Sequence, residues 1–247
     1  MSNIAIKTDN LSKNFSAIRA GKTLFHLGAN LIRKESLVRR LWALRNVTMQ
    51  IERSEIVAII GKNGSGKTTL LRVLSGIYEK SSGDFEVAGE MKPLLDVYSG
   101  FHRQLSVIDN VYLFGSFYSV PQKYLHENIG SILEKAGVYE YRHNYFSILS
   151  KGQVEKLALS IFFSSAGDIF LFDEGFNYID EDYLNCCDDY FHRMRSQKKT
   201  VIISSHNFYV LGRYCIKAIW LDEGRIKMIG PVKEVFNEYK KYTSNSS

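Results

Sequence analysis

Apolar residues in this chain gather into short, unbroken runs instead of one sustained period. Residues 56–60, 169–172 and 200–204 are runs of four or five residues, rich in β-branched or aromatic side chains. That length and composition predict strands buried on both faces, as in a parallel sheet. Residues 4–7 read as a short strand, and residues 44–51, which alternate apolar and polar, as another. Helical periodicity follows the first run over 69–74, dominates 105–163 together with many aromatics, and returns over 231–242. A turn and strand are expected over 83–89, a hairpin over 218–226, and a frayed tail over 244–247. No repeat or flexible linker divides the chain. One α/β domain over residues 1–247, with a helical subdomain at about 97–165, is the expected organisation.

Composition adds bounds. The chain has 247 residues, 45% hydrophobic and 23% charged, enough for an ample core. No apolar stretch approaches the ~20 residues of a membrane-spanning helix, and the N-terminus lacks the apolar centre of a secretory signal. Cys186 and Cys187 are adjacent and Cys215 is distant, so neither a disulfide framework nor metal-ligand spacing is present; packed thiols in a reducing cytosol are expected.

Charge changes the picture more. Of the formal net charge of +6, a segment from Lys13 to Arg45 carries +7, with eight basic residues against Glu35 alone. Such a segment calls for an anionic partner or surface. If residues 31–41 within the insertion at about 16–42 are helical, Leu31, Val38 and Leu41 share a face and Arg33 and Arg40 lie opposite. Lys34 and Arg39 then flank the apolar stripe. Three readings follow: contact with anionic headgroups at a membrane surface, contact with a substrate diphosphate, or a helix packed on the domain with solvated arginines.

The sharpest chemical signal is Gly61-Lys62-Asn63-Gly64-Ser65-Gly66-Lys67-Thr68, a G-x-x-x-x-G-K-[ST] loop with a strand pattern before it and a helix pattern from Thr69 after it. Its glycines let backbone N–H groups turn inward as an anion nest. Lys67 is placed to reach β- and γ-phosphates, and the Thr68 hydroxyl to ligate Mg²⁺. Asp173-Glu174 closes a later apolar run, which suits a carboxylate holding Mg²⁺ through water and a neighbour acting as general base. His206, just past another run, would point into the same crevice as a γ-phosphate contact. Leu149-Ser150-Lys151-Gly152-Gln153 opens a helix, and a serine with free amides at a helix N-terminus makes a second anion site. One chain already has one such site, so the second suggests a second molecule.

With these motifs the chain resembles the ATP-binding cassette family, whose signature Leu-Ser-Gly-Gly-Gln completes the ATP site of a partner subunit. The resemblance implies a P-loop NTPase core with an antiparallel β subdomain and an inserted helical subdomain. It also implies a head-to-tail homodimer with ATP and Mg²⁺ between the phosphate loop of one copy and Ser150, Gly152 and Gln153 of the other. Lys151 stands where the family has a glycine, adding a cation near the γ-phosphate. Asp180 matches the family's aspartate after the catalytic glutamate, while residues 175–179 depart from its usual Pro-Thr-Ser-Ala-Leu. Phe15 falls at the family's adenine-stacking position, with Trp42 as rival. Asp96 is the candidate stand-in for the family's Mg²⁺-sensing glutamine, Gln104 lying a few residues too late.

Residues 94–106 and 109–113, the segment 214–226 and the insertion between Phe15 and Trp42 are similar to one branch, the ATPase subunits of bacterial O-antigen, teichoic-acid and related lipid-linked polysaccharide exporters. That branch implies a peripheral subunit on the cytoplasmic face of the plasma membrane. Its partner would be an integral membrane permease, docked at the helical region and passing the polysaccharide, with no nucleic acid expected. The alternatives are another exporter of the family or a soluble cassette acting on nucleic acid. Repair members carry a long coiled coil between the two motifs, and here 83 residues without sustained heptads separate Lys67 from Ser150. A metabolite kinase with the same loop would leave the signature and His206 without a role.

Overall fold

The computed structural model describes residues 3–18 and 38–244. β1 (Ile4–Ile18) and β2 (Val38–Glu52) are long antiparallel partners. β3 (Ile56–Ile60) leads through a tight loop into α1 (Lys67–Leu74). β4 (Ser82–Val87) returns to pair with β1, giving a small sheet of order β2–β1–β4. β5 (Met91–Leu94) forms one edge of the second sheet, and three helices follow: α2 (Val107–Phe117), α3 (Gln122–Lys135) and α4 (Lys151–Phe162). The chain then alternates: β6 (Ile169–Asp173), α5 (Glu181–Ser196), β7 (Thr200–Ser204), α6 (Phe208–Tyr214), β8 (Lys217–Asp222), β9 (Arg225–Pro231) and α7 (Val232–Ser244).

The second sheet has the order β5–β6–β7–β3–β8–β9, parallel except for β9. Every residue of β3, β6 and β7 is buried, which is why these runs carry no polar alternation. Their period of two instead divides them between two cores. Ile56, Ala58, Ile60, Phe170, Phe172, Val201 and Ile203 face the helices α2 to α6, while Val57, Ile59, Leu171 and Ile202 face α1 and the small sheet. Pro93 sits in β5 at the sheet's edge, where one side of the strand has no ladder to lose. No described helix is long and apolar enough to cross a membrane.

The basic insertion differs from expectation where it is described. Val38 and Leu41 are not on a helix: they open β2, opposite Ile18 and Phe15 of β1. Pairing with β1 gives each of these residues ladder hydrogen bonds, and that outweighs a helical spacing of three apolar side chains. Arg39 and Arg40 are in the same strand. Leu31, Arg33 and Lys34 lie outside the described residues.

Candidate active site

β3 and α1 are joined by six residues that must turn sharply and turn amides inward, the Ser65 N–H being used within the loop on the Lys62 carbonyl at 3.1 Å. Gly61, Gly64 and Gly66 do this with φ of 153°, 79° and 107°. At Gly66 a Cβ would stand 2.6 Å from the Ala43 carbonyl oxygen, and at Gly61 2.2 Å from that of Leu221, so β2 and β8 press on the loop from outside. The loop is stitched to the β8–β9 turn, where the Gly224 N–H donates to the Ser65 carbonyl at 3.0 Å. Lys67 is buried, and its ammonium donates to the carbonyls of Gly61 (2.8 Å) and Lys62 (3.2 Å). Burial lowers its pKa, with Glu174 and Asp173 opposing. An ammonium taken from water and satisfied by carbonyls alone favours an arriving anion. Asn63, Gly64, Gly66, Lys67, Thr68 and Thr69 line a cavity of about 320 Å³ whose far wall is Glu174.

β6 ends on Asp173, in register with Ser204 at the end of β7. Both are buried, and neither Asp173 Oδ1 nor Ser204 Oγ has a hydrogen-bond partner. Burial raises the Asp173 carboxyl; the nearby Thr68 and Ser204 hydroxyls pull it down without reaching Oδ1 in hydrogen-bond geometry. Orphaned hard oxygens beside a phosphate loop fit a hard divalent cation. Among the described residues no group of three or more acidic, His or Cys side chains could hold one alone. Phosphate and water oxygens would therefore complete the shell around Thr68 and Asp173.

Glu174 follows with φ of 58°, a left-handed conformation that costs a non-glycine residue about 1–3 kcal/mol. Its N–H is fixed to the Ser204 carbonyl at 2.8 Å, and its carboxylate lies 3.4 Å from His206 Nε2. Both side chains are about half exposed, at 50% and 44%. Glu174 also lines a second cavity, of about 340 Å³, together with Asp173, Asp96, Arg72, Lys151 and Glu155. Asp96 Oδ1 there accepts from the Tyr98 N–H at 2.9 Å.

Ser150 is the N-cap of α4 in a reciprocal box: its hydroxyl accepts from the Gln153 N–H (3.3 Å), and Gln153 Oε1 accepts from the Ser150 N–H (3.0 Å). Neither Ser150, Gly152 nor Gln153 lines the phosphate-loop cavity of its own chain. Asp180 caps α5, its Oδ1 accepting from the Tyr183 N–H at 3.0 Å, and its Oδ2 pairs with Lys156. Phe15 stands cross-strand from Leu41, one register step from the Asn14–Trp42 pair.

Residues 44–177, more than half of the chain, match the family model described as ABC transporter. The chain belongs to the ABC transporter family. Among curated relatives of this ABC chain, it is similar to the teichoic acids export ATP-binding protein TagH of Bacillus anthracis, 30% identical over 83% of this chain and 38% of the relative. It is likewise similar to the O-antigen export system ATP-binding protein RfbB of Myxococcus xanthus, 30% identical over 82% of this chain and 46% of the relative. It thus spans less than half the length of each. Two solved structures share the fold. One is a dimeric ATP-binding cassette in a post-hydrolysis state bound to ADP and Pi, with TM-score 0.72, 18% identity and coverage of 92% of this chain and 98% of that one. The other is cbiO1 from Clostridium perfringens, part of the ABC transporter complex cbiONQ, with TM-score 0.68, 21% identity and coverage of 98% and 94%.

Within this ABC chain the fold brings Asn63, Gly64, Gly66, Lys67, Thr68 and Thr69 to one cavity and Asp96 and Asp173 to another, the two meeting at Glu174, with His206 beside that carboxylate; Gly61 and Ser65 shape the loop without lining either. The fold keeps Ser150, Gly152, Gln153 and Asp180 off the phosphate-loop cavity. Sequence reasoning did not single out Glu155, Ser204, Arg72 or Tyr78. Ser204 was within reach, as the last residue of a buried run aligned with the one ending at Asp173. Glu155 had no signal, because a carboxylate one turn into a helix reads as a solvated charge.

Proposed function

We propose that this chain is the ATP-hydrolysing subunit of a bacterial exporter of lipid-linked polysaccharide, of the O-antigen or teichoic-acid type. It works as a homodimer beneath an integral membrane permease, on the cytoplasmic face of the plasma membrane. The observation that carries the reading is the split of anion-binding parts. Asp173, Glu174 and His206 gather beside the phosphate loop, while Ser150, Gly152 and Gln153 do not line its cavity, which supports a second anion site that another copy would use. Relatives named as export ATP-binding proteins for teichoic acids and O-antigen support the substrate class.

In this reading the loop amides and Lys67 bind the β- and γ-phosphates, and Thr68 and Asp173 hold Mg²⁺, which neutralises phosphate charge when bound. Glu174 orients a water and takes its proton as the water oxygen bonds to the γ-phosphorus and the bridging P–O bond breaks, leaving ADP and phosphate. His206, 3.4 Å from Glu174, contacts the γ-phosphate and keeps the carboxylate aimed. Ser150, Gly152 and Gln153 of the second copy close the site, with Lys151 adding a cation. Asp180 acts at the interface between copies. Asp96 reads the metal from the second cavity. Phe15 stacks on adenine. A neighbouring groove of about 400 Å³ has an apolar floor of Phe101, Phe146, Leu149 and Val154 with Arg103 and Lys151 at its rim, suiting an amphipathic helix of the permease.

Glu174→Gln tests the chemistry. ATP binding should persist while turnover falls about 10²–10⁴-fold, the contribution of a general base, and the variant should accumulate as an ATP-bound dimer in size-exclusion chromatography. Turnover near the wild-type rate would remove Glu174 from its role. ATPase stimulation of the permease complex by lipid-linked glycan, and not by lipid alone, checks the substrate class.

A further inference from the structure

Glu155 is 2% exposed, yet it carries a carboxylate and, among the described residues, has no ion pair. The cation next to it in sequence, Lys156, is used by Asp180. What satisfies Glu155 is backbone. Its Oε1 accepts from the Asn177 N–H at 2.7 Å and its Oε2 from the Tyr178 N–H at 3.3 Å. The Asn177 side chain in turn donates from Nδ2 to the Glu174 carbonyl at 3.0 Å, and Asn207, next to His206, donates to the Phe176 carbonyl at 3.2 Å. One turn back along α4, Gly152 lies so close to the same loop that a Cβ would be 3.1 Å from the Tyr178 carbonyl oxygen.

A buried carboxylate without a cation is costly, and an apolar side chain there would fill the space at less expense. The group is therefore explained by what it holds. It joins the helix that Ser150 caps to the loop that leaves Glu174, the one catalytic candidate in a left-handed conformation. We infer that Glu155 is a positioning residue that locks α4 to the 175–178 loop, so that engagement of Ser150 by one nucleotide is felt at the Glu174 that serves the other. The inference rests on the shared-site reading above for its second half, and on a single chain for its first. Contacts on Ser150 move or steady α4, Glu155 transfers this to the Asn177 and Tyr178 amides, and Asn177 passes it to the Glu174 peptide.

The test uses the full chain. Glu155→Gln keeps shape, but it removes the charge and sets an amide donor against the Tyr178 N–H. It should lower kcat about tenfold or more, as expected for a lost charge-assisted hydrogen bond, with KM held within about threefold because the phosphate loop is untouched. Hydrogen exchange at the Asn177 and Tyr178 amides should quicken in the same variant. Asn177→Ala, at an exposed side chain that does not threaten folding, should lower kcat in the same direction and add little on top of Glu155→Gln. A folded Glu155→Gln with wild-type kcat overturns the inference. So does a kcat loss without faster exchange over 175–179, which would mean that the effect does not pass through the loop. The shared-site reading fails by a different result, the absence of rescue between Ser150→Arg and Lys67→Ala subunits, and that experiment does not involve Glu155.

Discussion

At the scale of single residues, two aromatics compete for the base. The Phe15 ring meets Tyr78 edge-on with centroids 5.5 Å apart, and the Lys13 ammonium lies 5.0 Å from the Phe15 centroid. The Tyr78 hydroxyl accepts from Arg72 Nη1 at 2.8 Å, and Arg72 lines the cavity shared by Asp173 and Glu174. Contacts thus run from Phe15 through Tyr78 to Arg72, which borders the cavity that the carboxylates also line. Phe15 should therefore carry the stack. Phe15→Ala is expected to weaken ATP binding about tenfold, within the ~1–3 kcal/mol of an aromatic–base contact, with Phe15→Trp restoring it. Trp42→Ala should shift affinity by no more than about twofold, or a few tenths of a kcal/mol. Titration with a fluorescent ATP analogue decides, and a larger loss from Trp42→Ala would reverse the assignment. At this scale the sequence was informative wherever the backbone itself makes the site. Gly61, Gly64 and Gly66 are legible because other residues are strained at positive φ. Tyr78 and Glu155 were not, because their roles arise from neighbours distant in sequence.

At the scale of elements, α5 shows why part of the fold stayed hidden. Its buried residues Tyr183, Leu184, Cys187, Tyr190, Phe191 and Met194 have helical spacing, but three of them are tyrosine or cysteine amid acidic neighbours, so the apolar stripe is faint. The strands β3, β6 and β7 were plain because burial on both faces leaves unbroken apolar runs. β2 reached Val38 because its partner β1 extends to Ile18, a long-range fact that no local pattern contains. The start of α5 is set by Asp180, which caps the helix and pairs with Lys156. Asp180→Ala should cost about 1 kcal/mol of stability, the usual worth of a cap, and Asp180→Asn should recover most of it, since the pair is more than half exposed on the Asp180 side. The Lys156 hydrogen bond holds the Asp180 carboxyl below its ordinary value. The native state thus binds its proton less readily than the unfolded chain. Its contribution is present above the ordinary carboxylate pKa and lost as pH falls through the lowered one. Chemical denaturation at neutral and acid pH should show the gap between wild type and Asp180→Asn closing in acid; a gap that widened would reverse the sign.

At the scale of the whole molecule, the question is how one chain uses two anion sites. Ser150 sits at the N-terminus of α4 and does not line the phosphate-loop cavity of its own chain, which Glu174 and Thr69 border. Two copies related by a two-fold axis would each offer one half-site and receive the other, a self-complementary closed contact. Lys67→Ala removes the ammonium from one half and Ser150→Arg blocks the other. A homodimer of either variant would have both sites damaged, the first lacking both lysines and the second both serines. Mixed one to one, a heterodimer has one site with Lys67 and Ser150 both intact. ATP-dependent dimerisation, measured by analytical ultracentrifugation in a Glu174→Gln background that retains bound ATP, should be absent or weak for each variant and return in part for the mixture. Because ATP holds neither homodimer, an equimolar mixture is drawn into heterodimers, so the recovered signal has the parent's as its ceiling and falls below it by as much as one intact site holds the pair less tightly than two, since a ligand stabilises only the form that binds it. Dimerisation of either variant alone at the parent's ATP concentration would mean that Ser150 or Lys67 is not part of the closing site. No recovery in the mixture, with both variants folded, would mean that the two half-sites belong to one chain or to a different partner.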